Sequence, residues 1–239
     1  AYSSVENVGL ILVSVGLAIV FKAYKFNVLA AMALTAALYH LLNHAVFKSL
    51  LFMGAGSVAH ATHERNIDRL GGLIRAMPWT SALFLIGCLS ISALPPFNGF
   101  VSEWLTLQTF LLTPALPSYA LKLIIPLGAA VVALTGTLAA RCFLKVYGVA
   151  FLGHRREGRV LEVREVDWPM RAGMMLCAAT CLVLGVIPAF VIGWLDTVPE
   201  QLVGAKLSLS AGAFGWLWLT PVAAHRASYS APIVLIWIL

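Results

Sequence analysis

Residues Tyr39–Lys48 read YHLLNHAVFK, inside an apolar run from about 28 to 54 that is long enough to cross a bilayer. His40, His44 and Lys48 are spaced i, i+4, i+8, which on a helix stacks them on one face, one turn apart. A charge at the bilayer centre costs from about 2.5 kcal/mol upward, so such groups face a partner, the bundle interior or a wet path. Each alone could serve as hydrogen-bonding glue between helices. Their repetition at helical period, with Asn43 beside them, favours a row that handles protons, because histidine changes charge near neutral pH.

The whole chain is built around such runs. It has 239 residues, 61% hydrophobic and 11% charged, with a mean hydropathy of +0.91. Soluble domains carry about 25% charged residues, so this composition excludes one and predicts an all-α, polytopic transmembrane helix bundle. The net charge of +6 sits mainly in loops between apolar runs, the positive-inside pattern. No basic stripe alternates with aromatics, which excludes nucleic acid as a partner. Trp79, Trp168, Trp194, Trp216 and Trp218 fall near span ends, as interfacial anchors do. Cys88, Cys142, Cys177 and Cys181 match no metal-ligand spacing, and no zinc, nucleophile-elbow or phosphate-loop motif occurs. No catalytic residue, metal or cofactor is expected, and His60 and His63 read as solvated or interfacial.

Span 1 is predicted over about 4–21 and span 2 over about 27–56. HATHERNIDRLGGLIRAMPW (60–79) is charged and then amphipathic. Ile67, Leu70, Leu73 and Ile74 suggest a short helix along the membrane surface. Span 3, about 80–112, is interrupted by LPPFNGF (94–100), in which Pro95, Pro96, Asn98 and Gly99 break the helix. Unwound backbone at membrane depth is tolerated only where protein or water satisfies it, and it points to transporter sites. Glu103 follows the break. A carboxylate there can cap the half-helix, but Asn98 or Ser102 could do that instead, which favours a proton-exchanging role for Glu103. Span 4 is expected over about 119–151, span 5 over about 170–194, and an interfacial or re-entrant segment at LSLSAGAFGWLWL (207–219).

Secondary candidates are Glu6 at the start of span 1, and Arg141 with Lys145 on span 4, which could equally snorkel to headgroups. The division expected is a transmembrane repeat over 1–151, a charged cytoplasmic loop over 152–169, and terminal membrane segments over 170–239. Lys22, Lys25 and Lys122 lie on one side. Arg65, Arg69, Arg75, Arg155, Arg156, Arg159, Arg164 and Arg171 lie on the other, which is predicted to face the cytoplasm. The first and last residues suggest a piece of a longer protein.

Four stretches carry a family resemblance: AYSSVENVGLIL (1–12), LYHLLNHAVFKSLLFMGAGSV (38–58), NIDRLGGLIRAMPWT (66–80) and LSISALPPFNGFVSEWL (89–105). Together they resemble the antiporter-like membrane subunits of respiratory complex I, group 4 hydrogenases and multi-subunit sodium/proton antiporters. WLWLTPVAAHRASYSAPIVL (216–235) and the wording around Glu103 are most similar to the hydrogenase-4 and formate hydrogenlyase branch. The resemblance implies the second of two inverted repeats. Lys48 would be its central lysine, His40 and His44 the histidines leading to it, and Glu103 the terminal residue on its broken helix. It further implies proton transport in a prokaryotic cytoplasmic membrane. The partners would be other membrane subunits and a peripheral iron–sulfur and nickel–iron hydrogenase, or an NADH dehydrogenase arm. A sodium/proton antiporter subunit and a structural membrane anchor are the competing readings.

Overall fold

The computed structural model describes residues 2–113, 116–154 and 163–207, with 219, 229, 230, 233, 234 and 236 nearer the C-terminus. The expected segment over 207–219, the final span, and Arg155, Arg156 and Arg159 fall almost wholly outside the described residues.

Span 1 is α1 (Tyr2–Ala23) and span 2 is α2 (Asn27–Thr62). They reverse through a tight turn in which Lys25 takes left-handed backbone at φ 64°. At 1.5 Å per residue, the 36 residues of α2 reach about 54 Å, well beyond a hydrocarbon core of about 30 Å. Span 3 is broken as its prolines require, into α3 (Pro78–Ile91) and α4 (Asn98–Leu111). Span 4 is α5 (Tyr119–Tyr147), continued by a π turn at Gly148–Leu152. By length and composition, α1, α2, α5 with its π turn, and α6 (Trp168–Val186) are each able to cross a membrane. α3 is a shorter apolar helix.

Three expectations need correction. The surface helix at 67–74 is two 3₁₀ turns, Ile67–Arg69 and Leu73–Arg75. Asn66 Oδ1 accepts the Asp68 N–H and so caps the start of the first turn, and between the turns Gly72 adopts φ 64°, which interrupts helical winding. Ile67, Leu70 and Leu73 pack on the bundle while Ile74 is exposed. Span 5 is not one helix to Trp194. It stops at Val186, and α7 (Pro188–Leu195) and α8 (Thr197–Val203) follow, because Pro188 has no N–H with which to continue α6. Finally, neither Asn98 nor Ser102 caps α4. Phe97 is the N-cap, with no side-chain hydrogen bond, and the Asn98 and Ser102 side chains point at α2 instead.

α2 is the hub, packing against α1, α3, α4, α6, α7 and α8. Its C-terminal half joins α3, α5 and α6 around Phe47, Leu50, Phe84, Phe151 and Met174. Its N-terminal half meets α1, α4 and α5 around Phe21, Ala30 and Phe110, and a further cluster, with Met32, Leu105 and Ile192, faces α4 and α7. Leu127, Leu134, Leu138 and Leu176 are exposed on the outside, as expected where the surroundings are lipid rather than water.

Two glycines permit the closest backbone approaches. A Cβ on Gly99 would strike the Ser90 carbonyl, and one on Gly185 would land 2.8 Å from the Phe97 carbonyl carbon and 2.9 Å from Asn98 N. α3 is capped from afar. Glu165, in the loop before α6, accepts the Trp79 N–H at 2.9 Å and the Thr80 hydroxyl at 2.5 Å, satisfying groups that a helix N-terminus leaves open. Glu165→Ala is expected to cost about 1 kcal/mol, read as a lower melting midpoint of the solubilised protein. Gly99→Ala, which sets carbon against backbone that cannot swing aside, should lower it further.

Candidate functional site

Where α1, α2 and α4 meet, the polar side chains form one connected system. His40 is 2% exposed. Its Nε2 lies 3.1 Å from Asn7 Oδ1 on α1, and its Nδ1 lies 2.9 Å from Ser102 Oγ on α4. Asn7 donates its amide to the Ser3 carbonyl at 2.7 Å, which turns Oδ1 toward the histidine. An amide oxygen only accepts, so His40 Nε2 carries hydrogen.

The other ring nitrogen is served in either protonation state. With His40 neutral, the Ser102 hydroxyl donates to Nδ1. With His40 protonated, Nδ1–H donates to Ser102 Oγ, and the hydroxyl hydrogen turns to the Gly99 carbonyl, 3.1 Å away. One hydroxyl rotation therefore accommodates a proton gained or lost without moving a heavy atom. Asn43 holds Ser102 in place, donating to Ser102 Oγ at 3.2 Å and to the Asn98 carbonyl at 2.8 Å. The Asn98 amide returns a 3.3 Å bond to Asn43 Oδ1.

One turn on, His44 packs its ring edge against Phe47 with centroids 5.6 Å apart. Its buried Nε2 has no hydrogen-bond partner among the described residues. Another turn on, Lys48 Nζ donates to Ser3 Oγ at 2.5 Å and lies 5.4 Å from the centre of the Phe52 ring. Ser3 thus contacts Lys48 through its hydroxyl and Asn7 through its carbonyl, joining both ends of the column. The helical spacing that stacks the column also grades it, from buried His40 to half-buried Lys48.

Two carboxylates lie on the helices around this column, Glu6 on α1 and Glu103 on α4. Glu6, one residue before Asn7, is close enough to Lys48 to feel its charge, and Glu103 is close enough to feel that of Glu6. Glu103 faces α5, its Oε2 being 3.1 Å from where a Cβ on Gly136 would sit, so glycine there leaves room for the carboxylate. Pro95 and Pro96 lie in the break itself, while Asn98 and Gly99 open α4. Arg141 and Lys145 are exposed on α5 and are not brought to this site. Ser3, Asn7 and Ser102 were missed as site residues from sequence. The i, i+4 spacing of Ser3 and Asn7 on α1 was the available signal. Among the described residues no cluster of metal-ligating side chains occurs.

Ser102→Ala strands His40 Nδ1 and should destabilise the protein by about 1–3 kcal/mol, visible as a lowered melting midpoint. Ser102→Thr, which keeps the hydroxyl, should lose less.

The chain shares 45% identity with hydrogenase-4 component B of Escherichia coli over 225 residues, 90% of this chain and 33% of that protein. With formate hydrogenlyase subunit 3 of the same organism it shares 38% identity over 211 residues, 88% of this chain and 35% of that one. It spans about a third of the length of these relatives. Its fold matches a chain in the structure of a membrane-bound sulfane sulfur reductase, an archaeal respiratory membrane complex. That match has a TM-score of 0.71 at 21% identity, covering 99% of this chain and 38% of the other. Residues 1–120, which hold the α1–α2–α4 site, match the transmembrane family of NADH:quinone oxidoreductase and Mrp antiporter subunits, and the chain belongs to that family.

Proposed function

We propose that this chain is the proton-handling part of a membrane subunit in a respiratory-type hydrogenase complex of a prokaryotic cytoplasmic membrane. The observation that carries the reading is the connected polar system running Lys48–Ser3–Asn7–His40–Ser102, buried at Asn7, His40 and Ser102, with Glu6 and Glu103 on the same helices. Intramembrane ionisable groups are costly and are kept where protons or ions move. Electron transfer belongs to partner subunits, a peripheral iron–sulfur and nickel–iron arm in this reading. The similarity to hydrogenase-4 component B and formate hydrogenlyase subunit 3 supports that choice over an NADH dehydrogenase arm.

Like and unlike charges set close together cannot titrate independently. A change of field from a neighbouring subunit that moves a proton onto Glu6 removes the anion facing Lys48, and so favours release of the lysine's proton. The same step relieves the repulsion between Glu6 and Glu103. His40 can take or give a proton within its existing hydrogen bonds. Residues 1–151 would act as one antiporter-like repeat, the charged loop over 152–169 would face the cytoplasm, and 170–239 would complete the bundle. Arg141 and Lys145, exposed near one end of α5, suit headgroup contact better than transport.

The test is proton uptake into inverted membrane vesicles, driven by the electron donor of the assembled complex. Lys48→Ala and Glu103→Gln should abolish uptake, and Glu6→Gln should reduce it by about a hundredfold, the low end of the range over which single acid–base groups act. Full coupling in Lys48→Ala would leave a structural anchor as the better reading. The two carboxylates of these helices, Glu6 on α1 and Glu103 on α4, favour one second reading, exchange of sodium, which binds oxygen ligands. Uptake that requires sodium and fails in Glu6→Gln would select it. Mass spectrometry of subunits that co-purify from mildly solubilised membranes should find a nickel–iron hydrogenase. NADH-oxidising subunits would redirect the assignment.

A further inference from the structure

A second polar column runs down α2 beside the ionisable one. Thr35, Tyr39 and Asn43 are spaced i, i+4, i+8 and are all 0% exposed. Each bonds beside one interruption of the neighbouring helices. The Thr35 hydroxyl donates to Asp196 Oδ1 at 3.1 Å, between α7 and α8. The Tyr39 hydroxyl donates to the carbonyl of Leu184 near the end of α6, and Asn43 donates to the Asn98 carbonyl at the α3–α4 break.

The middle contact has a specific cause. In a continuous helix the Leu184 carbonyl would accept from residue 188, but residue 188 is proline and has no N–H to give. Leu184 is 5% exposed, so water does not replace the missing donor, and a buried orphan carbonyl is costly. Tyr39 supplies it from α2. The next residue, Gly185, presses directly on the Pro96–Asn98 backbone. Tyr39, Leu184 and Gly185 therefore link α2 through the α6–α7 break to the α3–α4 break, on which His40 and Asn43 also bear.

We propose that Tyr39 is a positioning residue: its bond to the carbonyl orphaned by Pro188 sets the height of α2 against α6, and through Gly185 sets α4, so that His40 meets Ser102. This rests on the proton-handling reading of that row.

The test uses the full-length protein assembled in its membrane, comparing Tyr39→Phe with the double variant Tyr39→Phe/Pro188→Ala. Alanine at 188 returns an N–H to the Leu184 carbonyl but not the tie to α2. Proton uptake per electron transferred should fall between about tenfold and a hundredfold in Tyr39→Phe, as small misplacements of reacting groups do. The double variant should regain the melting midpoint while uptake stays low. Normal uptake in Tyr39→Phe, or recovery of uptake in the double variant, would overturn the inference, since Tyr39 would then only satisfy a carbonyl. Should Tyr39→Phe alone not assemble, the double variant decides by the same readout. Lys48→Ala, measured in parallel, separates the two levels. Full uptake there overturns the row itself, whereas lost uptake there with normal uptake in Tyr39→Phe overturns only the positioning.

Discussion

Buried backbone at membrane depth cannot turn to water, and every helix interruption in this bundle raises that demand. Pro95, Pro96 and Pro188 create the interruptions, and α2 answers them. Asn43 takes the first carbonyl of α4, Tyr39 takes the carbonyl that Pro188 orphans, and Thr35 holds Asp196 at the following junction. α2 can do this because it is long, central and in contact with nearly every other helix. Moving α6 relative to α2 would leave the Leu184 carbonyl unsatisfied, at a cost of about 1–3 kcal/mol.

The same helix carries the ionisable column, and this proximity gives the arrangement its chemistry. His40, His44 and Lys48 occupy the face turned to α1 and α4, while Thr35, Tyr39 and Asn43 occupy the neighbouring face. Asn43 contacts both systems through Ser102 and Asn98. Small residues complete the design. Gly99 and Gly185 let three backbones crowd together, and Gly136 leaves space for the Glu103 carboxylate. Larger side chains at these points would separate the breaks from the groups they position.

The terminal charges act outside this interior. Glu165 closes the α3 N-terminus from a loop far along the chain. On the opposite side, Lys22 donates to the Val203 carbonyl at 2.6 Å, fastening α8 to the α1–α2 turn. These contacts draw the α6–α8 segment onto the first four helices, so that Gly185 arrives at the Pro96–Asn98 backbone.

Much of this was legible in the residues alone. Apolar run lengths specify helices where charged groups are few, and helical spacing requires His40, His44 and Lys48 to share a face, because both are local properties of the chain. The prolines of LPPFNGF announce a break for the same reason, and Pro188 ends α6 at Val186, short of the expected Trp194. The Gly71–Gly72 pair likewise outweighed an apolar pattern that suggested a surface helix. What only the tertiary structure decided was partnership. Ser3 and Asn7 become site residues, Glu103 is set against Gly136 of α5, and Tyr39 finds its carbonyl 145 residues away. A hydrogen bond or a Coulomb interaction depends on distance through space, and sequence spacing determines that distance only within a single helix.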